Sequence, residues 1–112
     1  MRTLKLRVET FDSEGMFGYK QITTFFSDFS IADRFGVSAI RDTYRRAFAE
    51  WKGNYKYLTE LVMVLCWKCG IFSERGNDAF AQTYRELFEK ANDYAWENLK
   101  DDELSYFYHT TN

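Results

Sequence analysis

The sequence predicts an α+β fold that is mostly helical. An N-terminal β-hairpin, about residues 3–26, packs on a bundle of about four helices, about 28–108, in one domain spanning 1–112. Three observations carry this. Leu4, Leu6 and Val8 alternate with Lys5, Arg7 and Glu9, the period of a half-buried strand. Beyond Ser38, apolar residues recur at steps of three and four, the period of a helix with one buried stripe. The chain has no proline, so only glycines and capping residues punctuate it.

Two glycines in Asp12-Ser13-Glu14-Gly15-Met16-Phe17-Gly18 suit a turn. Tyr19 to Phe26 follows, β-branched and aromatic, and reads as the second, antiparallel strand. A lone hairpin is marginal in water, so it is expected to lie on the helices or to pair with another chain. A short helix from about Asp28 to Phe35 ends at Gly36. The next starts near Ser38, a good N-cap, and aligns Ile40, Tyr44, Ala47, Phe48 and Trp51. From about Tyr55 to Ser73, Leu58, Leu61, Val62, Leu65, Cys69 and Phe72 form one stripe. Met63, Val64, Trp67 and Ile71 form another on the opposite side, so this helix is expected at the centre. Gly76 separates it from a helix capped by Asn77 or Asp78 that aligns Phe80, Tyr84, Leu87, Phe88, Ala91 and Ala95. Asp101 and Asp102 start a short last turn that runs through Leu104 and Phe107.

Hydrophobic residues make up 46% of the 112 and aromatics 20%, enough for a packed core without a metal or disulfide staple. The net charge of -2 excludes a strongly basic nucleic-acid coat. It is unevenly spread, with 11 basic and 8 acidic side chains up to Lys68 and 4 and 9 beyond it. The longest apolar run, Leu61 to Trp67, is far short of the ~20 residues of a membrane span. No apolar segment of a secretory signal follows Met1-Arg2-Thr3-Leu4-Lys5, so a cytoplasmic, reducing setting is expected.

Five groups of residues invite a chemical reading. Ile31 to Ser38 has the small residue and glycine spacing of a helix-turn-helix corner. The positions that would anchor a recognition helix, however, are Asp42 and Arg45. Arg41, Arg45 and Lys52 line one flank of the helix after Gly36, with Arg34 in the preceding turn. Together they form a candidate phosphate or nucleic-acid contact, against which stands an ordinary solvated face paired with the acidic C-terminal half. Cys66-Trp67-Lys68-Cys69 falls inside a helix rather than at its N-terminus, so a reduced, buried and metal-free pair is expected. His109 is the only histidine and stands near the chain end, a poor place for a general base. Met63, Trp67 and Ile71 on the second face of the central helix, with Trp96 on the polar side of its own, are a candidate interface.

The stretch Ile22-Thr-Thr-Phe-Phe-Ser-Asp-Phe-Ser-Ile-Ala-Asp-Arg-Phe-Gly36 resembles small uncharacterised proteins carried on mobile (conjugative) elements of anaerobic gut bacteria. So do Arg45-Arg46-Ala-Phe-Ala-Glu-Trp51 and Tyr57-Leu-Thr-Glu-Leu-Val-Met-Val-Leu65. The resemblance extends over nearly the whole chain. It implies a bacterial cytosolic accessory protein and brings no known activity, cofactor or site residue. The expectation is therefore a non-enzymatic interaction protein of a mobile element, binding a protein partner or itself as a homodimer. The alternative is a nucleic-acid-binding accessory protein that uses the basic flank. No cofactor and no metal are expected.

Overall fold

The computed structural model describes residues 17–112, with side chains from Phe25 on. Among the described residues there are five α-helices and no strand: α1 (Phe17–Asp33), α2 (Val37–Trp51), α3 (Tyr55–Glu74), α4 (Asp78–Asn98) and α5 (Asp101–Thr111). The described chain is all-helical, and the predicted β-hairpin is overturned. Its second strand, Tyr19 to Phe26, is part of α1, and its first strand lies outside the described residues. The physical reason is the spacing of Phe25, Phe29 and Ala32, four and three residues apart, which are 2%, 0% and 4% exposed. Burying one phenylalanine contributes about 1.5–3 kcal/mol. The strand preference of Ile22-Thr23-Thr24 rests on a scale that spans only about 1 kcal/mol in total.

The chain turns from α1 into α2 at Gly36, whose φ of 109° is left-handed backbone open to glycine. The Gly36 N–H donates to the Ala32 carbonyl at 3.2 Å, and Gly36, rather than Ser38, is the N-cap of α2. At α3 the cap is Asn54, whose side chain accepts from the N–H groups of Lys56 and Tyr57 at 3.1 and 3.3 Å. Asn77 caps α4 in the same way, accepting from the Phe80 N–H at 3.2 Å. Three acids, Asp101, Asp102 and Glu103, occupy the first turn of α5, where the helix dipole favours them.

α3 is the centre of the bundle and touches each of the other four described helices. Most of its two predicted stripes is enclosed: Leu58, Leu61, Val64 and Leu65 are fully buried and Met63 is 7% exposed, while Trp67, Cys69 and Ile71 are half-buried. Buried Thr59 and Thr83 satisfy their hydroxyls within their own helices, donating to the carbonyls of Tyr55 and Ala79 at 2.7 and 2.8 Å. No described helix is long and apolar enough to cross a membrane.

Two enclosed tyrosines make this core sensitive to alkali. Burial pushes Tyr44 from 10.0 up to about 12. Tyr84 rises too, through burial first and then through its hydrogen bond to Asp33 and the charge of that carboxylate. Above pH 10 the unfolded chain loses these protons while the folded chain keeps them. The stabilisation is therefore complete below pH 10 and is lost as pH climbs toward 12. Burial also raises the Cys66 and Cys69 thiols from 9.0, so the melting temperature is expected to decline gently from about pH 9 and more steeply beyond pH 10; an unchanged value near pH 11.5 would refute the assignment.

Candidate functional site

The most concentrated chemistry lies where α1, α3 and α4 meet. Lys68, on α3, is a buried lysine with 5% of its side chain exposed. Its ammonium reaches Asp33 Oδ2 at 2.6 Å and donates to Ser30 Oγ at 3.1 Å. The same Nζ lies 4.6 Å from the ring centre of Phe26, 5.5 Å from that of Phe72 and 6.0 Å from that of Tyr84. The Tyr84 hydroxyl donates to the other oxygen of Asp33. The Ser30 hydroxyl accepts from Lys68, the reverse of the direction in which a base would activate a serine nucleophile. The cluster is thus an internal clamp that fastens α1 to α3 and α4.

The four predicted phosphate contacts are dispersed. Arg41 pairs with Glu86 on α4 at 3.0 Å, and this hydrogen bond is the main reason that the Glu86 carboxyl sits below the usual carboxylate range. Arg45 pairs with Asp42 at 2.6 Å, and Lys52 lies 5.8 Å from the ring centre of Phe48. Arg34 alone faces a concave surface, a groove of about 370 Å³ that it lines with Lys68 and Arg75. The residues missed from sequence are Lys68 and Arg75. The first looked like a spacer within the cysteine pair, and only the fold places it under three rings.

Of the predicted interface residues, Met63 is buried, and Trp67 is half-buried with its ring stacked on Phe26 at 4.7 Å. Part of the second face of α3 is thus covered within the chain. Ile71 is half-buried on the Arg34 groove. Trp96 is 45% exposed and packs edge-on against Phe107 and Tyr108, so the C-terminal helix folds back along one side of it. Cys66 and Cys69 are half-buried free thiols, and burial raises both. Among the described residues no group of three or more His, Cys, Asp and Glu side chains is placed to hold a metal ion. His109 is exposed in the last turn of α5, in ring contact with Tyr108.

A second, larger groove of about 600 Å³ runs between α1 and α2. Phe25, Ala32, Ala39, Ala47 and Trp51 supply its apolar lining. At its lip stand Ile31 and Phe35, which are 56% and 76% exposed. Asp28, Asp42 and Glu50 lie along it against one cation, Arg46. Asp42 is occupied by Arg45 and Arg46, whereas Asp28 and Glu50 make no ion pair among the described residues. The helix-turn-helix corner predicted at Ile31 to Ser38 is the end of this groove. Ile40 and Tyr44 point inward from α2, and Arg45 is exposed. Comparison of the chain with models of protein families, with curated proteins and with solved structures finds no match.

Proposed function

We propose that this chain is a non-enzymatic interaction protein whose α1–α2 groove receives a partner segment that is apolar along one side and carries lysine or arginine along its edges. The observation that carries this reading is the exposure of Ile31 and Phe35 at the lip of an apolar groove. Large exposed apolar side chains clustered at a concave surface are the usual anchors of a protein contact. The partner's charge follows from Asp28 and Glu50, which have no ion-pair partner among the described residues. A homodimer built on this groove is less favoured, because a two-fold axis would bring the same acidic patch against itself. The mobile-element setting rests on the resemblance of Ile22–Gly36 and its companion segments, and the accessory role is proposed on that footing.

The test uses two synthetic amphipathic helical peptides of the same leucine pattern, one with lysine and one with glutamate on its polar face. Fluorescence anisotropy is expected to show saturable binding of the lysine peptide only, weakening as salt rises. Phe35→Asp should reduce that affinity at least about tenfold while changing stability by no more than about 0.5 kcal/mol, since Phe35 makes little contact with the core. Equal binding of both peptides, or an undiminished affinity in the variant, would remove the proposal. A wild-type dimer that Phe35→Asp dissolves, seen by light scattering, would reassign the groove to a second copy.

A further inference from the structure

On the other side of α1 lies the groove of about 370 Å³ where α1 and α3 end and α4 begins. Its walls are the rings of Phe26, Phe72 and Phe80 with Ile71. Arg34 and Arg75 stand on it, and Lys68 is at its buried side. Three cations thus meet one carboxylate, Asp33, which is already engaged by Lys68 and by the Tyr84 hydroxyl. Neither Arg34 nor Arg75 has a carboxylate partner among the described residues. The Arg75 guanidinium lies 5.8 Å from the ring centre of Phe72.

Each arginine follows the C-terminus of a helix, where free carbonyls attract a cation. That accounts for each one singly. It does not account for the convergence of both on a hollow walled by three rings, where the one carboxylate among the described lining residues, Asp33, is turned to other partners. A guanidinium offers paired N–H donors in one plane, the geometry that carboxylate and phosphate oxygens accept. Ring walls take up a flat apolar body by edge or face contact. We infer that this groove binds a small aromatic anion, with its carboxylate or phosphate held by Arg34 and Arg75 and its ring set among Phe72, Phe80 and Phe26. The size of the groove, at the low end of the range for small-molecule sites, suits one ring with its oxyanion rather than a larger ligand. This site is separate from the α1–α2 groove and stands or falls independently of it.

The test is a titration of the isotopically labelled protein with phenyl phosphate, benzoate, inorganic phosphate and neutral benzyl alcohol at low salt, followed by amide NMR. Phenyl phosphate or benzoate is expected to saturate at about 1 mM or below, with shifts confined to amides near Ser30, Arg34, Phe72, Arg75 and Phe80. Inorganic phosphate and benzyl alcohol, each lacking one half of the ligand, should bind at least about tenfold more weakly. Arg34→Ala and Arg75→Ala should each weaken the aromatic anion by about tenfold or more, and Arg41→Ala, whose partner is Glu86, should leave it unchanged. Because Arg34 and Arg75 are exposed, both variants are expected to keep the native amide spectrum away from the groove. Shifts that never saturate, that scatter over the surface, or that persist in the arginine variants would overturn the assignment. So would inorganic phosphate binding as tightly as phenyl phosphate.

Discussion

Lys68→Ala is expected to destabilise the protein by about 3–5 kcal/mol, the loss typical of breaking a buried ion pair by removing one partner. The side chains of Lys68 and Asp33 are only 5% and 14% exposed, so the pair is little screened by water. Without the ammonium, the Asp33 carboxylate keeps the Tyr84 hydroxyl as partner but loses its counter-charge, and the rings of Phe26 and Phe72 are left around an empty space. The double variant Asp33→Leu/Lys68→Met should recover most of the loss, because it removes both charges and refills the volume. Urea unfolding of the three proteins decides the matter. A single-variant loss below about 1 kcal/mol, the size expected of an exposed pair, would mean that the clamp contributes little.

Phe107→Ala should cost a similar amount, about 3–5 kcal/mol, and for a different reason. Phe107 is fully buried although it stands near the chain end, and Trp96 packs edge-on against it at 5.7 Å. Truncation leaves a cavity under α5 and removes one of the two buried side chains, with Thr110, by which this helix meets the bundle. Tryptophan fluorescence of a variant that keeps Trp96 and carries phenylalanine at Trp51 and Trp67, and its thermal unfolding, should change together. If stability falls by less than about 1 kcal/mol, α5 is an appendage rather than part of the core.

The helices α2, α3 and α4 were legible in the sequence because each carries its own period and its own punctuation. Tyr55 to Ser73 was expected and Tyr55–Glu74 is observed, with Asn77 as the cap of the following helix. α1 was not legible as a whole. Ile22-Thr23-Thr24-Phe25-Phe26 has the composition of a strand, and reading it so cut the helical spacing of Phe25, Phe29 and Ala32 in two. Only packing against the bundle restores that spacing as one stripe. The last helix starts at the acids that mark it in the sequence and runs past Phe107 to Thr111; the burial of Thr110 that extends it is a tertiary effect.

The candidate sites were legible in part. Arg34 was singled out, but in company with Arg41 and Arg45, which the structure pairs with Glu86 and Asp42. Its companions on the groove, Lys68 within α3 and Arg75 just after it, are 34 or more positions away in the chain. No local pattern announces such a meeting. Ile31 and Phe35 fall in the short helix that the sequence predicts before Gly36, and their exposure follows from how α2 leaves Gly36.

From Phe25 to Phe35, α1 and the turn after it serve as the dividing wall of the molecule. Phe29 goes to the core, Asp28, Ile31 and Phe35 to one hollow, and Phe26, Ser30 and Arg34 to the other. Only Ser27 in this stretch borders neither hollow nor the core. A wall of this kind has almost no neutral side. With both hollows in use, random substitution would meet resistance at nearly every step along it, whereas the outer surface of α4, with Glu97 and Asn98 in solvent, is free to drift. In any lineage that carries this chain, the rate of change along the sequence should therefore dip at α1, and the dip should lack the helical rhythm of conserved and variable positions that an ordinary half-buried helix leaves behind.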